Sequence, residues 1–126
     1  MPRLAILLSL LLLLVAPLSV RAQSLELVMV EQAGCHWCAA WHAEIGPAYP
    51  KTAEGQTAPL RMVDLRALPE DLDLVSRPRF TPTFILVSDG QELARLEGYP
   101  GQDFFWPVLA QMLETAQNDA LEEAAK

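Results

Sequence analysis

Two cysteines, Cys35 and Cys38, are the only ones in the 126-residue chain, and His36 and Trp37 separate them. Two thiols are too few for a disulfide-rich scaffold or a four-thiolate zinc site, so the pair is either structural or reactive. As a staple it is weak: a ring this small stabilises a fold by only about 2 kcal/mol in the chain-entropy estimate. As a reversible redox pair it is well placed. Gly34 marks a turn, and Cys35 falls where a helix begins. Unpaired backbone N–H groups and the positive end of the helix dipole there favour thiolate over thiol. Cys38 follows one turn later on the same face, within reach of the Cys35 sulfur. Cys35 is then the exposed nucleophile, and Cys38 the more buried thiol that resolves a mixed disulfide.

The neighbours refine this reading. His36 brings partial positive charge next to Cys35 and so favours the thiolate, which makes it a catalytic candidate. Trp37 either covers the disulfide or contacts a protein substrate. His42 lies four residues after Cys38 on the same helical face. It could join Cys35 and Cys38 in a metal-handling or binding module, the alternative to redox chemistry, but the sequence offers no fourth ligand. Cys38 is followed by Ala39, so the haem-attachment pattern is absent. No cofactor or resident metal is expected.

The elements that position the pair read as follows. Leu25–Val30 is a buried strand, and Cys35 to about Tyr49 a helix with Trp37, Trp41 and Ile45 on its apolar side, kinked at Pro47 and ended by Pro50. Lys51–Pro59, polar around Gly55, reads as a loop, and Leu60–Leu65 as a second strand. Pro69–Val75 reads as either a short helix or a loop. Thr83–Val87 is the clearest strand, and Ser88-Asp89-Gly90-Gln91 a hairpin turn into Glu92–Glu97. A last helix is expected from Asp103, as N-cap, to about Thr115, with Pro107 distorting its first turn. Trp41 and Phe104-Phe105-Trp106 are most simply core or interface aromatics. The order implies an α/β fold with a central mixed sheet flanked by helices. The domain is expected at 23–116, with a polar tail at 117–126, helical at most.

The first residues read as an export signal. Arg3 is followed by the apolar run Leu4–Val15, broken by Pro17, and Val20-Arg21-Ala22 places small residues for cleavage before Gln23. The run is short for a membrane span, which needs about 20 apolar residues. Export implies an oxidising compartment in which disulfides persist. The net charge is −7. With no basic patch to neutralise phosphates, nucleic acid is not an expected partner.

The CxxC at a helix start, followed by Phe80-Thr81-Pro82-Thr83 opening an apolar strand, resembles the thioredoxin superfamily over Leu25–Thr115. The resemblance implies a cis peptide before Pro82 and pairing of Thr81 with substrate backbone. A narrower likeness, to periplasmic SoxS-type thioredoxins, is carried by Gly34–Cys38, Trp41–Ile45, Val63–Arg66, Phe80–Phe84 and Glu97–Gly101. It adds Tyr99 to Trp37, Thr81 and Pro82 as substrate-binding candidates. It also implies a periplasmic reductant of a protein disulfide, such as that of a sulfur-carrier protein in sulfur oxidation, with a membrane thiol transporter as electron donor. One departure stands out. The superfamily's buried acid and its lysine partner fall on Met29 and Met62, leaving a water or Glu31 to activate Cys38.

Overall fold

A computed structural model describes residues 23–126. The expected export signal lies outside the described residues, among which no helix is long and apolar enough to cross a membrane. Strand β1 (Leu25–Glu31) is buried along nearly its whole length, which explains its unbroken apolar run. It pairs in parallel with β2 (Leu60–Asp64), from Leu27 opposite Leu60 to Glu31 opposite Asp64. Its other edge pairs antiparallel with β3 (Thr83–Ser88), which forms a hairpin with β4 (Gln91–Glu97). The sheet order is β2-β1-β3-β4, mixed as expected. Asp89 and Gly90 turn the hairpin with φ of 49° and 84°, the left-handed conformations that a tight two-residue turn requires.

Alternation along the strands sends side chains to two separate cores. On one face Leu27, Met29, Phe84 and Leu86 meet Cys38 and Trp41 of helix α1 (His36–Glu44), Ile45 at its C-cap, and Phe105, Leu109 and Leu113 of helix α3 (Gln102–Ala124). Trp41 is fully buried, its ring centroid 5.4 Å from Phe84 and 5.8 Å from Phe105. On the opposite face Val28, Val30, Val63, Ile85 and Val87 are covered by Leu65, Leu68, Leu72 and Leu74. That cover is irregular chain, so Pro69–Val75 is the loop and not the helix. Polar straps hold it. Arg61 grips Asp71 at 2.7 and 2.9 Å, Glu92 accepts the Val75 N–H at 2.9 Å, and Asp73 bridges the hairpin turn.

Four boundaries differ from the sequence expectation. Helix α1 stops at Glu44, because Pro47 has no N–H to continue the ladder and the Ile45 and Gly46 N–H groups both turn back to the Trp41 carbonyl. The expected loop at 51–59 instead holds a 3-10 turn, Tyr49–Lys51, and helix α2 (Ala53–Thr57), capped by Thr52 Oγ1 accepting from Gly55 N–H at 3.0 Å. Gly55 serves there as a close-packing residue, since a Cβ would run into the Tyr49 carbonyl. Helix α3 starts after Gly101, whose φ of 90° suits glycine, so Asp103 lies in the first turn rather than at the cap. The helix passes through Pro107 and continues to Ala124, although its buried face ends at Ala116.

Candidate active site

Strand β1 delivers the chain to one end of the sheet, where Gln32-Ala33-Gly34 turns it into α1; Gly34 takes a φ of 77°. Cys35 is the N-cap residue of α1, with extended φ and ψ of −73° and 106°. Its sulfur accepts a hydrogen bond from the Cys38 N–H at 3.1 Å, the role a serine or aspartate oxygen plays in ordinary caps. The two cysteines form a disulfide, with their Cα atoms 5.2 Å apart. Cys35 is partly exposed, whereas Cys38 is 4% exposed and belongs to the main core. This asymmetry is what the expected roles require, attack by Cys35 and resolution by Cys38. A thiolate on Cys35 inherits both the cap hydrogen bond and the helix dipole.

The surroundings come from distant parts of the chain. The Thr81–Pro82 peptide is cis and sits at the start of β3. Gln32 Nε2 donates to Thr81 Oγ1 at 2.9 Å, tying the turn before Cys35 to the proline loop. The Pro82 carbonyl accepts from Gly98 N–H at 2.8 Å, and Thr83 Oγ1 donates to the Phe80 carbonyl. Trp37 and Phe80 are exposed apolar side chains, at 58% and 63%. His36 is exposed, its ring edge-on to Trp37 with centroids 5.1 Å apart. Tyr99 is buried against Phe105, and its hydroxyl donates to Glu44 at the end of α1. Burial first, and then Glu44, push the Tyr99 hydroxyl above the ordinary tyrosine range, so it stays protonated.

A shallow depression of about 620 Å³ runs beside the disulfide, between α1 and the ends of β1 and β2. Glu31, Cys35, Cys38, His42 and Met62 line it. His42 Nε2 and Glu31 Oε2 are 2.6 Å apart, so that ring nitrogen is engaged by a carboxylate. Among the described residues no group of three histidine, cysteine or acidic side chains is arranged to hold a metal. Met29 is fully buried and Met62 is 57% exposed on the depression. Gln32 and the Glu31–His42 and Glu44–Tyr99 pairings are features that the sequence reading did not reach.

Comparison with solved structures decides the family. The structure matches that of the periplasmic thioredoxin SoxS from Paracoccus pantotrophus, in its reduced form, with a TM-score of 0.71 and 52% identity, over 73% of this chain and 98% of that one. The chain belongs to the thioredoxin superfamily, in its SoxS-type branch. A thioredoxin-2 of the malaria parasite, 18% identical with a TM-score of 0.52 over 71% of this chain and 84% of that one, supports the fold alone. No family model matches the sequence, and no curated protein does. With this family and this CxxC pair, the protein is a thiol-disulfide oxidoreductase acting on protein disulfides.

Proposed function

We propose that this thioredoxin works in the periplasm as a reductant, clearing a disulfide or mixed disulfide from a partner such as a sulfur-carrier protein in sulfur oxidation. A membrane thiol transporter refills it with electrons. The observation that carries the reading is the 52% identity to a periplasmic SoxS across 98% of that chain, joined to a CxxC pair at a helix cap. The export signal read at residues 1–22 agrees with it. Chemically, the Cys35 thiolate attacks a substrate disulfide, forms a mixed disulfide and releases one substrate thiolate. Cys38 then attacks the Cys35 sulfur, the second substrate sulfur leaves with the electron pair, and the Cys35–Cys38 disulfide remains. A dithiol donor restores the reduced pair by the reverse exchange.

Trapping tests this reading. Cys38→Ser keeps the nucleophile and removes the group that releases it, so covalent adducts should accumulate in periplasmic extracts and disappear on reduction. Cys35→Ser should capture nothing and lose all exchange. Adducts through Cys35→Ser would reverse the two roles, and adducts only with proteins outside sulfur metabolism would remove the sulfur-carrier assignment. Insulin reduction with a dithiol donor separates exchange from a metal-handling module, which would bind metal without turnover.

A further inference from the structure

The resolving step has a requirement that Cys35 does not meet. Cys38 must lose a proton before it can attack, yet it is 4% exposed, and burial favours the neutral thiol. The helix N-terminus does not serve it: the Cys38 N–H points at the Cys35 sulfur and stabilises that thiolate instead. Met29, which shares the buried cluster of Cys38, and Met62 on the depression carry no group able to take a proton.

What the depression does hold is a bound pair. Glu31, at the end of β1, and His42, one helical turn beyond Cys38 on α1, meet at 2.6 Å. Their side chains are 30% and 39% exposed, open enough to exchange protons with solvent and sheltered enough to hold one geometry. The other titratable groups on the depression are differently placed. Asp64, at the end of β2, accepts the Arg66 N–H at 2.7 Å, and His36 sits at the helix start, its ring edge-on to Trp37.

We propose that the Glu31–His42 pair is the proton acceptor for Cys38 in the resolving step, a role that rests on the thiol-disulfide exchange described above. In the mixed disulfide, neutral His42 donates to the Glu31 carboxylate through Nε2 and takes the Cys38 proton at its other ring nitrogen, through the solvent of the depression. The resulting imidazolium is held by the carboxylate. The Cys38 thiolate bonds to the Cys35 sulfur, the bond from Cys35 to substrate breaks, and the electron pair leaves on the substrate sulfur. The two cysteines are oxidised and the substrate disulfide is reduced. The imidazolium then returns its proton to the departing thiolate or to solvent.

Single-turnover kinetics test this. Reduced full-length protein is mixed with insulin, quenched in acid and analysed by mass spectrometry, which separates formation of the mixed disulfide from its resolution. Glu31→Gln, which can still accept a hydrogen bond from His42, and His42→Ala should slow resolution relative to formation at neutral pH, on the order of a hundredfold. Resolution in both variants should recover as hydroxide deprotonates Cys38 at alkaline pH, which a merely structural defect would not do. A resolution-to-formation ratio and pH profile equal to wild type in both variants would overturn the proposal and leave exchange intact. A wild-type protein that forms no mixed disulfide would overturn the exchange reading itself.

Discussion

We propose that His36, next in sequence to a sulfur already held by a backbone N–H, adds a second stabilising influence on the Cys35 thiolate. The cap hydrogen bond belongs to the backbone and survives substitution of the side chains around it; the histidine contribution does not. His36→Ala should raise the Cys35 pKa and, by destabilising the reduced dithiol, make the potential more negative. One unit of thiolate stabilisation corresponds to roughly 30 mV for a two-electron couple, which sets the size of the expected change. Thiolate absorbance followed against pH, together with equilibration against glutathione, measures both quantities. No response in either would leave the helix terminus alone in charge of Cys35. Trp37, 58% exposed and two residues after Cys35, belongs to a different question. Trp37→Ala should slow reaction with insulin several-fold while leaving reaction with a small aromatic disulfide nearly unchanged, because only the protein substrate brings a surface for the ring to cover.

At the scale of elements, helix α2 shows how a short polar segment is fixed. Thr52 Oγ1 both donates to the Tyr49 carbonyl at 2.7 Å and accepts from Gly55 N–H, while Tyr49 donates its buried hydroxyl to the Ala58 carbonyl at 2.7 Å. Thr52→Ala should cost about 1 kcal/mol in urea unfolding. Gly55→Ala should cost more, roughly 1–3 kcal/mol, because its methyl meets the Tyr49 backbone rather than a side chain that can swing away. Neither change touches the depression, so exchange activity should persist at temperatures where the fold does. A Gly55→Ala variant as stable as wild type would contradict the close packing. This region also shows why some elements were legible in the sequence and others were not. β1 and β3 announce themselves as apolar runs, and the hairpin announces itself through Asp89-Gly90, because those signals are local. Gly55 looks like a breaker until its tertiary neighbour is known, and Gly101 caps a helix where Asp103 is the better local candidate. The site divides the same way. Cys35 and Cys38 are legible from their spacing, whereas Gln32–Thr81 and Glu44–Tyr99 join residues 49 and 55 positions apart that only the folded sheet brings together.

Across the whole molecule the two faces of the sheet are closed by unlike means, and this makes their stabilities respond differently to acid. Helices α1 and α3 cover one face with aromatic and aliphatic packing. The other is covered by the segment between β2 and β3, whose four leucines are strapped down by the Arg61–Asp71 pair and by the Val75 N–H and Ser76 carbonyl, bonded to Glu92 and Arg95 of β4. Arg61 hydrogen-bonds Asp71 and lowers its carboxyl below the ordinary aspartate range, against an opposing effect of desolvation. Burial alone would raise Glu92, but hydrogen bonds from Arg95 and from the Val75 N–H outweigh it and hold that carboxyl below the ordinary glutamate range. Both folded-state values therefore lie below their unfolded ones. The stabilisation is fully present above the ordinary carboxylate range and is lost as pH falls through the depressed values. The arginines stay charged throughout, so all of the pH dependence of these contacts comes from the acids. Lowering the pH from about 5 to about 3 should therefore release the leucine-bearing segment before the sheet itself opens. Hydrogen exchange resolves this directly. The amides of Asp73, Val75 and Glu92, bonded at 2.8, 2.9 and 3.0 Å, should lose protection while those of Val28 and Ile85 in the sheet interior keep theirs. Glu92→Gln should show part of that loss already at neutral pH, since the amide keeps a hydrogen bond but not the charge. If the segment and the sheet lose protection together at every pH, the straps contribute nothing separable, and the leucines alone hold the second face closed.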